Sequence, residues 1–195
     1  INPWEYINRI SDTLEETEFS LFNSAEANRL LLEKHGDSNL NFRYRLGQNK
    51  YLKVLAKEIN QEPGLILCSF PPFPFHIIVR DSQFLIINKE TKIEFTEMDT
   101  LKTLFKNHIA SNSKLGNTDN PENSAQFTLV ISPYTNQVLT IKIIDLLAEG
   151  YFEFILENAK GFNQMKSVDQ MKILEMIPFQ MVYKFYWGPV IPKFD

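Results

Sequence analysis

The chain has 195 residues, 44% of them hydrophobic and 23% charged, which excludes an intrinsically disordered polymer and leaves room for one sizeable core. A net charge of −4 argues against a dedicated nucleic-acid binder, whose footprint is a basic stripe. No run of about eighteen apolar residues occurs, so no segment reads as a membrane span.

Residues 1–62 read as a mostly helical extension. Ser11, Asp12 and Thr13 offer a cap ahead of Glu15 and Glu16, acidic residues suited to the positive end of a helix. Residues 24–36 read as a helix closed by Gly36, with Lys34 and His35 in its last turn. Residues 39–45 alternate weakly, as a short strand or a loop would. From Gln48 to Asn60 the spacing of Tyr51, Leu52, Leu55 and Ile59 predicts an amphipathic helix, ended by Pro63-Gly64. The densest cationic cluster, Arg43 to Lys57, is broken by apolar residues and reads as a solvated helix face.

An α+β domain is expected over 63–195. Leu65 to Cys68 is a short strand. Cys68 is the sole cysteine; it rules out an intrachain disulfide and, within an apolar run, reads as a buried thiol. Phe70-Pro-Pro-Phe-Pro-Phe75 holds three prolines in six residues, so it reads as an extended connector. Residues 76–80 and 83–88 form strands around Asp81-Ser82. Thr96 to Asp99 resembles a capping box and opens a helix with Leu101, Leu104, Phe105 and Ile109 on one face. Polar residues 111–126 form a surface loop, and Phe127 to Ile131 is the cleanest strand. A second helix runs to Gly150, which terminates it, and residues 152–156 give the fourth strand. Residues 168–176 read as a helix, and Gln180 to Trp187 as a strand.

Chemistry is harder to find. His35, His76 and His108 are far apart and lack partner ligands at metal-site spacing. Ser132 precedes a proline and suits a turn; all seven glycines are isolated, so no phosphate-cradling loop is present. Glu94, Glu97 and Asp99 gather at a helix start, where the free N–H groups and dipole explain them. Asp145 interrupts an apolar run but falls on a polar side with Lys142 and Glu149, and His108 reads as solvent-facing. Sixteen phenylalanines spread along the chain read as core filling. The sequence thus specifies no cofactor, no metal site and no catalytic set.

The order strand, strand, helix, strand, helix, strand over about 71–157 resembles the soluble domain of the ExbD/TolR family. The resemblance rests on the strand Leu129-Val-Ile131, the turn reaching Tyr134, and Val138, Ile141, Ile144-Asp145 and Glu149-Gly150 in the second helix. It implies a periplasmic part of an ion-driven envelope-transport motor, dimerising beside a channel-forming partner. The family anchors through one N-terminal membrane helix carrying the functional carboxylate; that segment has no counterpart here, so membrane contact would run through a segment absent from this chain. Ile1 in place of an initiating Met is read as the mark of a removed upstream segment, in which any signal peptide or membrane anchor would lie.

The expected fold is therefore α+β: a mixed sheet of four to five strands packed by two helices in ββαβαβ order, with an N-terminal helical extension. Three functional readings follow. The first is a non-enzymatic interaction or scaffold domain, as in the motor subunit, with a protein partner or a homodimer and no nucleic acid. The second is an accessory subunit docking through Phe70, Phe73, Phe75, Tyr183, Tyr186 and Trp187. The third is an enzyme whose site, around His76, Asp81 or Glu153, assembles only on folding.

Overall fold

The computed structural model describes residues 2–17, 30–31, 34, 39–59, 74–80, 84–88, 91–113, 124–130 and 137–186. Helix α1 (Trp4–Ser11) is followed by strands β1 (Asn39–Gly47), β2 (Lys50–Ile59), β3 (Phe75–Arg80), β4 (Phe84–Ile87) and β5 (Thr91–Glu94). A 3-10 turn at Phe95–Glu97 leads into α2 (Thr100–Asn112), then β6 (Gln126–Val130), α3 (Gln137–Asn158), α4 (Ser167–Met176) and β7 (Gln180–Tyr186). Among the described residues the fold is mixed α and β: one seven-stranded sheet in the order β1-β2-β7-β6-β3-β4-β5, with helices α1 to α4. The sheet is larger than the expected four to five strands, and the ββαβαβ order does not describe it.

Two differences separate this architecture from the expected one. Residues 39–45, read from sequence as a short strand or a loop, and residues 48–60, read as a helix, form over 39–59 an antiparallel hairpin whose second strand runs parallel to β7 inside the sheet. Tyr51, Leu52, Leu55 and Ile59 fit a helical period, but Leu52, Val54 and Ala56 fit a period of two, and those three are the buried ones. The partner strand decides between them: Phe42, Tyr44 and Leu46 bury the same face in register, with Phe42 opposite Val54 and Tyr44 opposite Leu52. Gln48 and Asn49 lie in the turn, and Asn49 adopts φ 57°, a left-handed conformation that asparagine tolerates better than most residues, beside an irregularity in the ladder between Arg45 and Gly47. The remaining addition is β5, which pairs antiparallel with β4.

The second difference lies in α3. Gly150 does not end the helix, and residues 152–156 are its continuation rather than a strand. The Phe-Glu-Phe alternation that suggests a strand buries Phe152 and Phe154, while Tyr151 and Ile155 are buried as well, a wide apolar face that only a helix presents. Gly150 serves a packing role instead. A Cβ there would sit 2.5 Å from the Lys102 carbonyl oxygen, so the missing side chain lets α2 and α3 approach closely.

Smaller corrections follow the same logic. Ser11 ends α1 and does not cap a later helix; its hydroxyl donates to the Asn8 carbonyl at 3.0 Å. No side-chain capping bond forms at Asp99, where α2 begins one turn later than Thr96. Residues 30, 31 and 34 are helical, as expected, while the connector 70–73, the Asp81-Ser82 turn and Cys68 lie outside the described residues.

The core lies between one face of the sheet and the helices. Phe42, Val54, Met181, Phe127 and Phe75 line that face across five strands, each opposite its neighbour in register except where the ladders shift. Phe105 of α2 meets Phe75, Phe127 and Phe179 at centroid distances of 5.2–6.1 Å, an edge-rich aromatic cluster. Ile77, Val79, Leu85, Ile87, Ile144 and Phe154 are buried in this core, and Leu104, Leu129 and Ile141 are half-buried.

Candidate functional site

Charge gathers in two places. The first is the helical side. Asp145, Glu149, Glu153 and Glu157 recur every four residues along α3, so they form one acidic ridge. Lys102 and Lys106 of α2 face it: Lys102 Nζ lies 2.9 Å from Glu153 and 3.9 Å from Glu149, and Lys106 Nζ lies 2.8 Å from Glu157. The hydrogen bond with Glu153 and the surrounding carboxylates raise the Lys102 ammonium above its ordinary value.

At the N-terminal end of the ridge, three distant segments meet. Lys50, at the start of β2, donates to both oxygens of Asp145 at 2.7 and 2.8 Å, and the Trp4 indole N–H donates to one of them at 2.9 Å. With Asn2, Pro3 and Glu149 they line an open cleft of about 330 Å³. Asp145 is therefore not simply solvated, as its polar neighbours on the helix suggest, because residues 141 and 95 positions away supply its partners. Trp4 is 4% exposed and packs edge-on against Phe179. Its helix is pinned at two further points: Asn8 bonds the Asn49 carbonyl and the Tyr51 N–H of the hairpin, and Arg9 reaches Gln170 of α4.

The second charged place is the hairpin's outer face. Arg43, Arg45, Tyr51 and Lys53 alternate with the buried residues, so all four share the sheet face turned away from the helices. Register sets Arg43 directly opposite Lys53 and Arg45 opposite Tyr51. This is the cationic cluster that the sequence suggests is a helix face. Further along the same face the sheet is polar but neutral and buried. Gln126 donates to Gln180, and Gln180 to Asn41 at 2.9 Å, while His76 bonds Thr128 across β3 and β6.

Of the aromatic docking set, Phe75, Tyr183 and the backbone of Tyr186 are described. Phe75 is 1% exposed in the core beside Phe105 and His108 and offers no surface to a partner. Tyr183 is half-buried against the core, and Tyr186 ends β7 opposite Ile59; Phe70, Phe73 and Trp187 lie outside the described residues. The enzyme set does not converge: His76 is on the sheet's outer face, Glu153 is on the helical side, and Asp81 is not described. His108 packs against Phe75 and Phe105 instead of facing solvent, and this burial pushes its pKa down to about 4.

Among the described residues no three His, Cys, Asp or Glu side chains are grouped to hold a metal ion, and no helix is long and apolar enough to cross a membrane. Comparison with protein-family models, with curated proteins and with solved structures finds no match.

Proposed function

We propose that this chain is a non-enzymatic interaction or scaffold domain, acting as the soluble part of an ion-driven envelope-transport motor subunit. One observation supports the non-enzymatic part most: Asp145 is held by partners from two other elements, locked by Lys50 and Trp4 into a structural contact. A general acid or base needs a proton free to move, and a carboxylate chelating an ammonium on both oxygens is poorly placed for that. The motor reading draws its support from the succession β3, β4, α2, β6, α3 and β7, with β5 and α4 interposed. In it β7 takes the last place that the ExbD/TolR resemblance assigns to residues 152–156.

The test combines the reading frame with chemistry. A hydrophobic helix encoded upstream, together with a discrete crosslink from the full-length protein to a channel-forming membrane protein in its host, supports the motor reading. An upstream region without such a helix overturns it. Substrate turnover by the purified chain, lost in Asp145→Asn at unchanged thermal stability, overturns the non-enzymatic reading.

A further inference from the structure

We infer that the corner formed by Arg43, Arg45, Tyr51 and Lys53 binds a phosphate group. The inference starts from a pairing that folding alone does not favour. Arg43 and Lys53 are directly opposite in an antiparallel ladder, where like charges sit about 4.5–5.5 Å apart at Cβ and destabilise the pair. Arg45 is the next residue on the same face, so three cations share one two-residue stretch of hairpin. They do so in a chain whose 24 acidic residues outnumber its 20 basic ones.

Among the described residues, acidic groups reach only the Arg43 edge of the corner: Glu16 is the bridge partner of Arg43, and the Glu15 carbonyl accepts the Arg43 backbone N–H. Arg43 Nη2 lies 3.5 Å from Asp12, whose side chain is 55% exposed. Among the described residues, neither Arg45 nor Lys53 has any acceptor, and the Arg43 Nε–H is buried without one. The contrast with Lys50, Lys102 and Lys106, each within 3 Å of a carboxylate, is direct.

The corner is also ordered in advance of a ligand. The Arg43 guanidinium carbon sits 3.5 Å from the Tyr51 ring centroid, so the cation is stacked and its fork is held in place. A stacked arginine beside two cations that have no acceptor among the described residues suits a tetrahedral dianion, which accepts from several donors at once; a carboxylate is satisfied by one guanidinium fork. The surrounding face argues for a single group rather than a polymer. Asn41, Leu55 and Gln180 are neutral neighbours, whereas a nucleic acid would need a row of cations following its backbone. The phosphate could be carried by a soluble phosphoester or by a lipid headgroup, since both present the same oxygens.

The experiment uses the full chain and two probes. Inorganic pyrophosphate is titrated at constant ionic strength while backbone amide shifts are followed, and vesicles of phosphatidylcholine with or without phosphatidic acid are tested by co-sedimentation. The expected result is a saturable shift confined to residues 41–55, weakened roughly tenfold in Arg45→Gln and in Lys53→Gln and unchanged in Lys172→Gln. Vesicle binding that depends on phosphatidic acid and is lost in Lys53→Gln assigns the phosphate to a lipid; pyrophosphate saturation without vesicle binding assigns it to a soluble phosphoester. Either pattern supports the inference. No saturation by either probe, or binding equally strong in the Arg45 and Lys53 variants, overturns it.

Discussion

Two charged regions of this molecule have similar numbers of cations and opposite fates. On the helical side, Lys50, Lys102 and Lys106 each meet a carboxylate of the α3 ridge, and the ridge in turn joins α1, α2 and β2 to one helix. On the outer face of the hairpin, Arg43, Arg45 and Lys53 crowd together; Asp12 and the bridge partner Glu16 lie beside Arg43, while Arg45 and Lys53 have no acceptor among the described residues. The difference separates charge used to position elements from charge left available. Paired charge on a half-exposed surface contributes modestly to stability, while clustered charge of one sign costs stability and is retained where something outside the fold neutralises it.

The closed helical side depends first on the distance between α2 and α3. Gly150→Ala places a methyl against the Lys102 carbonyl, a backbone atom that cannot rotate away. We expect a loss of about 2–3 kcal/mol, read as a fall in melting temperature of roughly 5–10 °C. An unchanged melting temperature would show that the two helices are not held as closely as described.

A second effect comes from pH. Burial lowers the folded-state pKa of His108 to about 4, below its ordinary 6.5, so the unfolded chain binds the proton more readily. Its contribution to stability is therefore complete above about pH 6.5 and is lost as the pH falls toward 4. The loss is roughly 2 kcal/mol once partial exposure is allowed for, and His108→Leu should flatten this part of the stability–pH curve. A curve of the same slope in the variant would assign the acid sensitivity to other groups.

Two smaller changes sharpen the comparison. The Tyr151 hydroxyl is buried without a hydrogen-bond partner among the described residues, and burial drives its pKa upward. Tyr151→Phe should raise stability by about 1 kcal/mol in urea denaturation; a loss would reveal a partner for the hydroxyl. A double-mutant cycle on Lys50 and Asp145 should give a coupling of about 0.5–1 kcal/mol, the range for a half-exposed ion pair. A coupling of zero would make the Trp4 contact the main support of Asp145.

Much of the second half of the fold can be read from the amino-acid order, because its signals are local. Strands β3, β4 and β6 and helices α2 and α4 follow from periods of two and near four and from the polar breaks between them. The hairpin is different: residues 50–59 satisfy both periods, and only pairing with β1 and β7 selects the strand. Gly150 misleads for a related reason, since an isolated glycine at a helix end and one at a helix crossing look alike until the second helix is present. Both charged clusters can be noticed in the sequence, but which of their side chains meet cannot. Trp4, Lys50 and Asp145 are joined by folding alone, and Arg43 meets Lys53 only once the hairpin turns at Asn49. The fourfold acidic repeat from Asp145 to Glu157 is visible in the sequence, and it marks where α3 meets its lysines.

The most direct test of the contrast is a side-by-side urea denaturation of Asp145→Asn and Lys53→Gln. The paired side should lose about 1 kcal/mol when Asp145 can no longer hold Lys50 by charge. Removing Lys53 from the cationic corner should leave stability within about 0.5 kcal/mol of the parent or raise it. A Lys53→Gln variant destabilised as much as Asp145→Asn would contradict the account, because the corner's cations would then be holding the fold together rather than standing free of it.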